Sequence, residues 1–261
     1  MCSSDLHYTG LGTNEHASGK VQGVWGPERP GDEYLTDRLG RHAVEFVKRR
    51  KDAPFFLYLA FNAVHSPWHG RLEHRERFGG LKPDPLPYYA SMVVSMDEAI
   101  GRMLAALREA GVAENTLVAF LSDNGPAKSD IKGAKPEWPK DTIVGSTGGL
   151  NGWKGLYLEG GMRVPFLLRW PGRLKAGSVY SRPVSSLDLY ATFCAAAGVP
   201  VPEGTRLDGV DLLPFLAGAA PGDPHADLFW MHDGQGAMRR GDWKLVVSPP
   251  APKLRLLHLP A

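Results

Sequence analysis

Apolar residues recur along this chain in two rhythms, and each rhythm predicts its own kind of element. Leu35, Leu39, Ala43, Phe46 and Val47 return every three or four positions, which predicts a helix over Glu33–Arg50. Tyr89, Met92, Val93, Met96, Ile100, Met103, Leu104 and Leu107 mark a second, longer helix. It starts near Leu86, tolerates Pro87 in its first turn and stops at Gly111. Leu117–Leu121 is a short unbroken apolar run, the length of a strand buried on both faces of a parallel sheet; Phe55–Phe61 reads as a second buried strand and Val164–Trp170 as a third strand. Ser186–Ala197 reads as a short apolar helix with a serine cap, ended by Gly198, and Asp211–Leu216 as a further helical turn or two. From Gln235 the pattern becomes alternating: Ala237–Arg240, Trp243–Val247 and Leu254–Leu259 predict a small antiparallel appendage. The stretches between are polar or rich in glycine and proline. Residues 7–32 read as irregular surface, 68–85 as loop, and Pro126–Gly152 as a loop long enough to suggest function.

Composition narrows the classes. A chain of 261 residues that is 43% hydrophobic can bury a full core. The net charge of +2 comes from 30 basic and 28 acidic residues mixed along the chain, so nucleic acid is not indicated. No apolar stretch approaches the ~20 residues that span a bilayer. Cys2 and Cys194 form neither a metal pair nor a disulfide framework, and Cys194 sits in an apolar helical pattern as a structural thiol. Met1–Leu6 has none of the regions of a signal peptide and matches the translated end of a sequencing adapter, so the gene is expected to begin further upstream.

The chemistry concentrates where the apolar runs stop. Leu117–Leu121 breaks off into Ser122-Asp123-Asn124-Gly125, placing a carboxylate and a carboxamide oxygen at a strand end, where α/β sheets bind ligands. Two adjacent hard donors suit Ca²⁺ or Mg²⁺ better than a soft metal, although Asp-Asn-Gly is also an ordinary turn. His65, His69 and His74 do not make a zinc helix, because Pro67 interrupts them. Gly149–Lys154 lacks the Gly before lysine and the Ser/Thr after it that a phosphate loop demands, but Lys154 can still face an oxyanion. Glu159 and Arg163 are spaced to pair with each other on a helix surface. No G-x-S-x-G elbow occurs. Together, one hard-cation pair, one lysine and one histidine after an apolar run form an oxyanion-and-metal constellation.

The segments PFFLYLAFNAVHSP (from Pro54), TLVAFLSDNG (Thr116–Gly125) and NGWKGLYLEGGMRVPFLLRWPG (Asn151–Gly172) resemble successive blocks of the sulfatase family of the alkaline-phosphatase-like superfamily. Leu207–Leu216 and AMRRGDWKLV (Ala237–Val246) resemble its C-terminal portion, so the likeness runs from about Tyr34 to the end. The resemblance implies an α/β fold with a central mixed sheet flanked by helices, occupying residues 1–224, and an antiparallel subdomain over 225–261. It implies hydrolysis of sulfate esters, expected to be those of sulfated sugars, with Ca²⁺ rather than Mg²⁺. Asp123 and Asn124 fall on positions that complete the calcium site. His65 falls on the histidine that contacts the ester and helps protonate the leaving oxygen, and Lys154 on the lysine that binds sulfate. Trp68, His69, Trp138 and His232 are loop residues from which substrate selection could come.

The resemblance also implies a nucleophile that this sequence does not hold. The family oxidises a cysteine in a C-x-P/A-S-R motif to formylglycine, whereas Cys2 is followed by Ser-Ser-Asp and Cys194 by Ala-Ala-Ala. The motif, and the paired aspartates that accompany it, are expected upstream, which makes the chain an N-terminally truncated sulfatase. Export from the cytosol is a further expectation of the resemblance. Two rivals stay open here: a phosphate or phosphonate ester hydrolase of the same superfamily, and a non-catalytic binding relative.

Overall fold

The computed structural model describes residues 33–66, 68, 70–82, 85–128, 143–232, 234–248 and 253–259. The expectations for residues 1–32, His69 and Trp138 therefore lie outside the described residues. The chain divides into two compact units. The first runs up to Ala113 and adds Pro126–Ser146; the second comprises Glu114–Gly125 and Thr147–Ala261.

In the first unit, α1 (Leu35–Arg50), α2 (Leu72–Arg77) and α3 (Pro85–Glu109) pack beside a short hairpin, β2 (Ala127–Lys128) with β3 (Ile143–Val144). The buried line of α1 is Thr36, Gly40, Ala43 and Val47, smaller residues than the large apolar stripe predicts. A side chain on Gly40 would bring a Cβ within 2.7 Å of Ala99 Cβ, so α1 and α3 meet where neither has bulk. On α3, Met92, Ala99, Ala106 and Leu107 are buried, whereas Val93 is exposed. Ser91 and Ser95 are buried too and both are satisfied: Ser95 Oγ donates within the helix to the Ser91 carbonyl at 3.0 Å, and Ser91 Oγ reaches the Arg71 carbonyl before α2 at 2.9 Å. Gly111 takes the left-handed conformation (φ 72°) that ends the helix.

Three expectations are corrected in this unit. Residues 68–85 are not wholly loop, because α2 forms there with His74 buried. Trp68 is 2% exposed and packs with Met92 and Val144, its indole N–H donating to the Val64 carbonyl, so it is a core residue rather than a substrate selector. Among the described residues Phe55–Phe61 belongs to no sheet, and it alternates along its length, exposing Phe56 (69%) and Tyr58 (81%). An apolar run provides the side chains of a strand; the ladder partner has to come from elsewhere.

In the second unit, β1 (Val118–Leu121) pairs with β4 (Phe166–Arg169), with α4 (Glu159–Met162) preceding β4 in the chain. The pairing is antiparallel, Val118 opposite Arg169 and Leu121 opposite Phe166, not the parallel arrangement read from the apolar run. The opposed pair Phe120 and Leu167 is exposed, so the strands are not buried on both faces either. Helix α5 (Asp188–Ala197) ends at left-handed Gly198 as expected, and just before its start Ser185 Oγ accepts from the Leu187 N–H at 3.3 Å, although Leu187 itself makes no side-chain cap. The Asp188 carboxylate, fully buried, accepts from the Ser185 N–H at 2.7 Å, the Val210 N–H at 3.0 Å and His225 Nε2 at 2.8 Å. A short α6 (Leu213–Leu216) follows, its Leu213 N–H bonded to Asp211 Oδ1.

The C-terminal alternation forms a four-stranded antiparallel sheet, β5 (Leu228–His232), β6 (Gln235–Arg240), β7 (Trp243–Ser248) and β8 (Lys253–His258), in chain order. Strand β5 adds to the three predicted. One face turns Ala237, Lys244 and Val246 inward; the other exposes Phe229, Met231, Trp243, Leu245, Leu254 and Leu256. Among the described residues, no helix is long and apolar enough to cross a membrane.

Candidate functional site

In the second unit the site is built around a glycine pair. Strand β1 delivers Ser122–Gly125 at its end, where the Ser122 N–H donates to the Pro165 carbonyl at 3.2 Å and Ser122 Oγ to the Asn124 carbonyl at 2.9 Å. The Gly125 N–H then donates to the Gly161 carbonyl at 3.0 Å. A Cβ on Gly125 would lie 1.9 Å from the Gly160 carbonyl oxygen, so the Asp123-Asn124 turn is closed directly onto this dipeptide.

The Lys154 segment closes onto it from the other direction. The Leu156 N–H donates to the Trp153 carbonyl at 3.0 Å, which makes Trp153–Leu156 a β-turn with Lys154 and Gly155 at its centre. Gly155 has φ 88°, the positive value a type II turn requires at its third residue. The Gly160 N–H donates to the Asn151 carbonyl at 2.7 Å, and a Cβ on Gly160 would stand 2.4 Å from the Gly152 carbonyl oxygen. A Cβ on Gly161 would meet the Leu156 and Trp153 carbonyl oxygens at 2.2 and 2.6 Å. Two turns, one carrying hard oxygen donors and one carrying an ammonium group, therefore share the backbone of Gly160-Gly161. Only residues without side chains permit both approaches.

Asp123 is exposed, while Asn124 and Lys154 are half-buried. Asp123 and Asn124 offer adjacent oxygens of the kind calcium takes, but two donors are fewer than the six to eight such an ion uses. Among the described residues, no group of three or more His, Cys, Asp or Glu side chains is placed to hold a metal ion.

His65 lies in the first unit, on the exposed turn that follows Phe61, with its N–H bonded to the Asn62 carbonyl at 2.8 Å. Its Nδ1 stands 2.5 Å from the Ser66 carbonyl oxygen. A carbonyl can only accept, so the proton sits on Nδ1 and Nε2 is the atom left to exchange a proton.

Glu159 behaves differently from its predicted pairing. Its carboxylate does not meet Arg163; Oε1 accepts from Lys244 Nζ at 2.7 Å and Oε2 lies 3.8 Å from Arg239 Nη1. Neither Lys244 nor Arg239 was singled out from the sequence. A signal was present, since Lys244 shares the inward period-two face of its strand with Val246, and a lysine there demands a partner.

The family model described as Sulfatase matches residues 5–199 of the chain. Steryl-sulfatase of Mus musculus is 38% identical over 195 residues, covering 75% of this chain and 30% of the relative. The uncharacterized sulfatase YdeN of Escherichia coli (strain K12) is 35% identical over 206 residues, covering 77% of this chain and 34% of the relative. The chain thus spans about a third of the length of these curated relatives. Among solved structures, Ps i-CgsB in complex with k-i-k-neocarrahexaose superposes with a TM-score of 0.73 at 36% identity, over 88% of this chain and 49% of that one. That likeness makes the fold alkaline-phosphatase-like.

Proposed function

Because the chain belongs to the sulfatase family, we propose that it forms part of a sulfuric ester hydrolase and contributes metal and sulfate contacts to it. Asp123 and Asn124 are its calcium ligands, Lys154 its sulfate-binding cation, and His65 the group that touches the ester and protonates the leaving oxygen. The observation that carries this reading is the shared footing on Gly160-Gly161, which ties a hard-oxygen turn and a lysine turn to the same two peptides. An anionic ester held beside a divalent cation needs fixed positive charge on more than one side.

The donor set fits calcium in kind, being carboxylate and carboxamide oxygen, and leaves room for ligands from other parts of the protein. When bound, calcium would supply positive charge against a sulfuryl oxygen. Lys154 presents a point charge from a turn whose backbone is fixed. His65, protonated at Nδ1 toward Ser66, delivers and takes up the catalytic proton at Nε2. The attacking group belongs to the formylglycine that the family resemblance implies, in a motif neither Cys2 nor Cys194 forms. The substrate we favour is a sulfate ester on a carbohydrate, on the likeness to Ps i-CgsB, which was crystallised with k-i-k-neocarrahexaose.

Calorimetric titration of the chain with calcium tests the assignment. Asp123→Ala is expected to lose at least tenfold in calcium affinity, because a charged hard ligand is gone. Lys154→Ala is expected to leave calcium affinity within about twofold of the parent, because an ammonium ligates no cation. Equal losses in both variants would overturn these roles.

A further inference from the structure

Lys244 is the largest fully buried side chain among the described residues, with 1% of its surface exposed. Its Nζ donates to Glu159 Oε1 at 2.7 Å, lies 3.5 Å from Met162 Sδ and stands 5.4 Å from the centre of the Trp230 ring. Directly opposite it in the β6–β7 ladder is Arg239. Two cations facing each other across a ladder repel, and here one carboxylate serves both: Glu159 gives Oε1 to Lys244 and Oε2 to Arg239. Apolar residues of similar volume would hold the sheet in place without desolvating three charges. What an ion pair adds is direction. Glu159 immediately precedes Gly160-Gly161, so whatever fixes its side chain fixes the peptides on which the Asp123 and Lys154 turns close.

We propose that Lys244 and Arg239, acting through Glu159, are positioning residues that hold the Gly160-Gly161 hub and through it the Lys154 turn. The C-terminal sheet is then a brace for the anion-binding lysine and not only an appendage. For the lysine's role, though not for the brace itself, this rests on the sulfate reading proposed above.

The test uses the full 261-residue chain and two readouts, amide hydrogen exchange and titration with inorganic sulfate followed by NMR. Lys244→Met is expected to raise exchange at Gly125, Gly160 and Gly161 at least tenfold, with the β1–β4 amides unchanged, and to weaken sulfate binding at least threefold. Lys244→Arg should restore both, since it keeps the charge. Lys154→Ala should abolish sulfate binding and leave the glycine amides as slow as in the parent. The double variant Glu159→Met/Lys244→Met removes the buried ammonium together with its carboxylate and leaves Arg239 its bond to the Gly241 carbonyl at 2.9 Å, which guards against simple unfolding, and it too should exchange fast at the three glycines. Slow exchange at those glycines in a folded Lys244→Met or double variant would overturn the brace. So would sulfate affinity unchanged in Lys244→Met. If the parent chain itself bound no sulfate, the role given to Lys154 would fall, and the exchange readout would still decide the brace by itself.

Discussion

Gly125→Ala is the sharpest test of the closed glycine hub. The added Cβ would sit 1.9 Å from the Gly160 carbonyl oxygen and 2.9 Å from its carbon. Carbon and carbonyl oxygen approach no closer than about 3.3 Å without cost, so one backbone must retreat by more than an ångström. Neither can do so cheaply, because the contact is with backbone and not with the far end of a flexible side chain. The retreat also stretches the Gly125 N–H bond to the Gly161 carbonyl, now 3.0 Å. Overpacking costs about 1–3 kcal/mol, and a strained or lost bond to a buried group roughly another 1–2 kcal/mol. The sum is about 2–5 kcal/mol, which for a chain of this size lowers the melting temperature by on the order of 5–15 °C.

The assay is thermal unfolding followed by circular dichroism, with Gly101→Ala as the control. Gly101 lies inside α3, is exposed, and a Cβ there meets nothing within 4 Å, so alanine should stabilise by about 0.5–1 kcal/mol through helix propensity. A Gly125→Ala chain melting within a degree of the parent, beside a stabilised Gly101→Ala, would refute the close approach. In a folded Gly125→Ala chain, calcium affinity should also fall, because the retreat displaces the turn that carries Asp123 and Asn124.

Other outcomes follow from single contacts. Asp188→Ala strands two backbone N–H groups and His225, and should cost about 3–5 kcal/mol in urea unfolding; a loss under 1 kcal/mol on that order-of-magnitude scale would mean the carboxylate is dispensable. Gly40→Ala pushes a Cβ to 2.7 Å from Ala99 Cβ and should destabilise the α1–α3 pair by about 1–3 kcal/mol, readable as faster amide exchange in α1; unchanged exchange there would count against it. The exposed Arg240 holds the half-buried Asp227 carboxyl below its ordinary value of 3.8, so the pair's contribution is present above pH 3.8 and lost as pH falls through the lower folded value. Asp227→Asn should therefore flatten the acid limb of the stability curve, and an unchanged limb would remove the pair from the account. Finally, the chain with calcium should not hydrolyse an aryl sulfate, because Lys154 and His65 have no attacking group to act upon in this sequence; calcium-dependent turnover would show that the nucleophile has been misidentified.

The sequence made the long helix legible because α3 carries period 3.6 over seven turns and ends on a glycine that adopts φ 72°. The β6–β8 strands were legible for the matching reason, period two between turn residues. What escaped depended on partners. Leu228–His232 is a strand because β6 lies beside it, and its run of Leu-Phe-Trp-Met has no alternation of its own to announce that. Phe55–Phe61 has the composition of a buried strand and no sheet among the described residues includes it. Ser186 heads the apolar pattern of α5, yet the serine bonded at that helix start is Ser185, whose Oγ accepts from the Leu187 N–H while its own N–H donates to the Asp188 carboxylate.

The site divides in the same way. The candidates Asp123, Asn124 and His65 stand out because they follow apolar runs, and Lys154 because it sits in a glycine-rich turn ahead of one; the chemistry of a residue type is local information. The glycines that join two of those turns were visible only as letters, since their meaning is the absence of a Cβ facing a backbone far along the chain. Lys244 was hidden for a different reason. Its partner Glu159 lies 85 positions away, and the nearer Arg163, four residues on in a helical spacing, offered a sufficient local explanation for the same carboxylate. Local pairing is a fair default on an exposed helix, where such ion pairs contribute a few tenths of a kcal/mol, on the order of 0.3–0.5. It fails here because a buried ammonium left without a counter-charge costs several kcal/mol, roughly 3–5. Between a weak surface pair and a severe burial penalty, the penalty decides where Glu159 points, and with it the orientation of the peptides that hold the Lys154 turn.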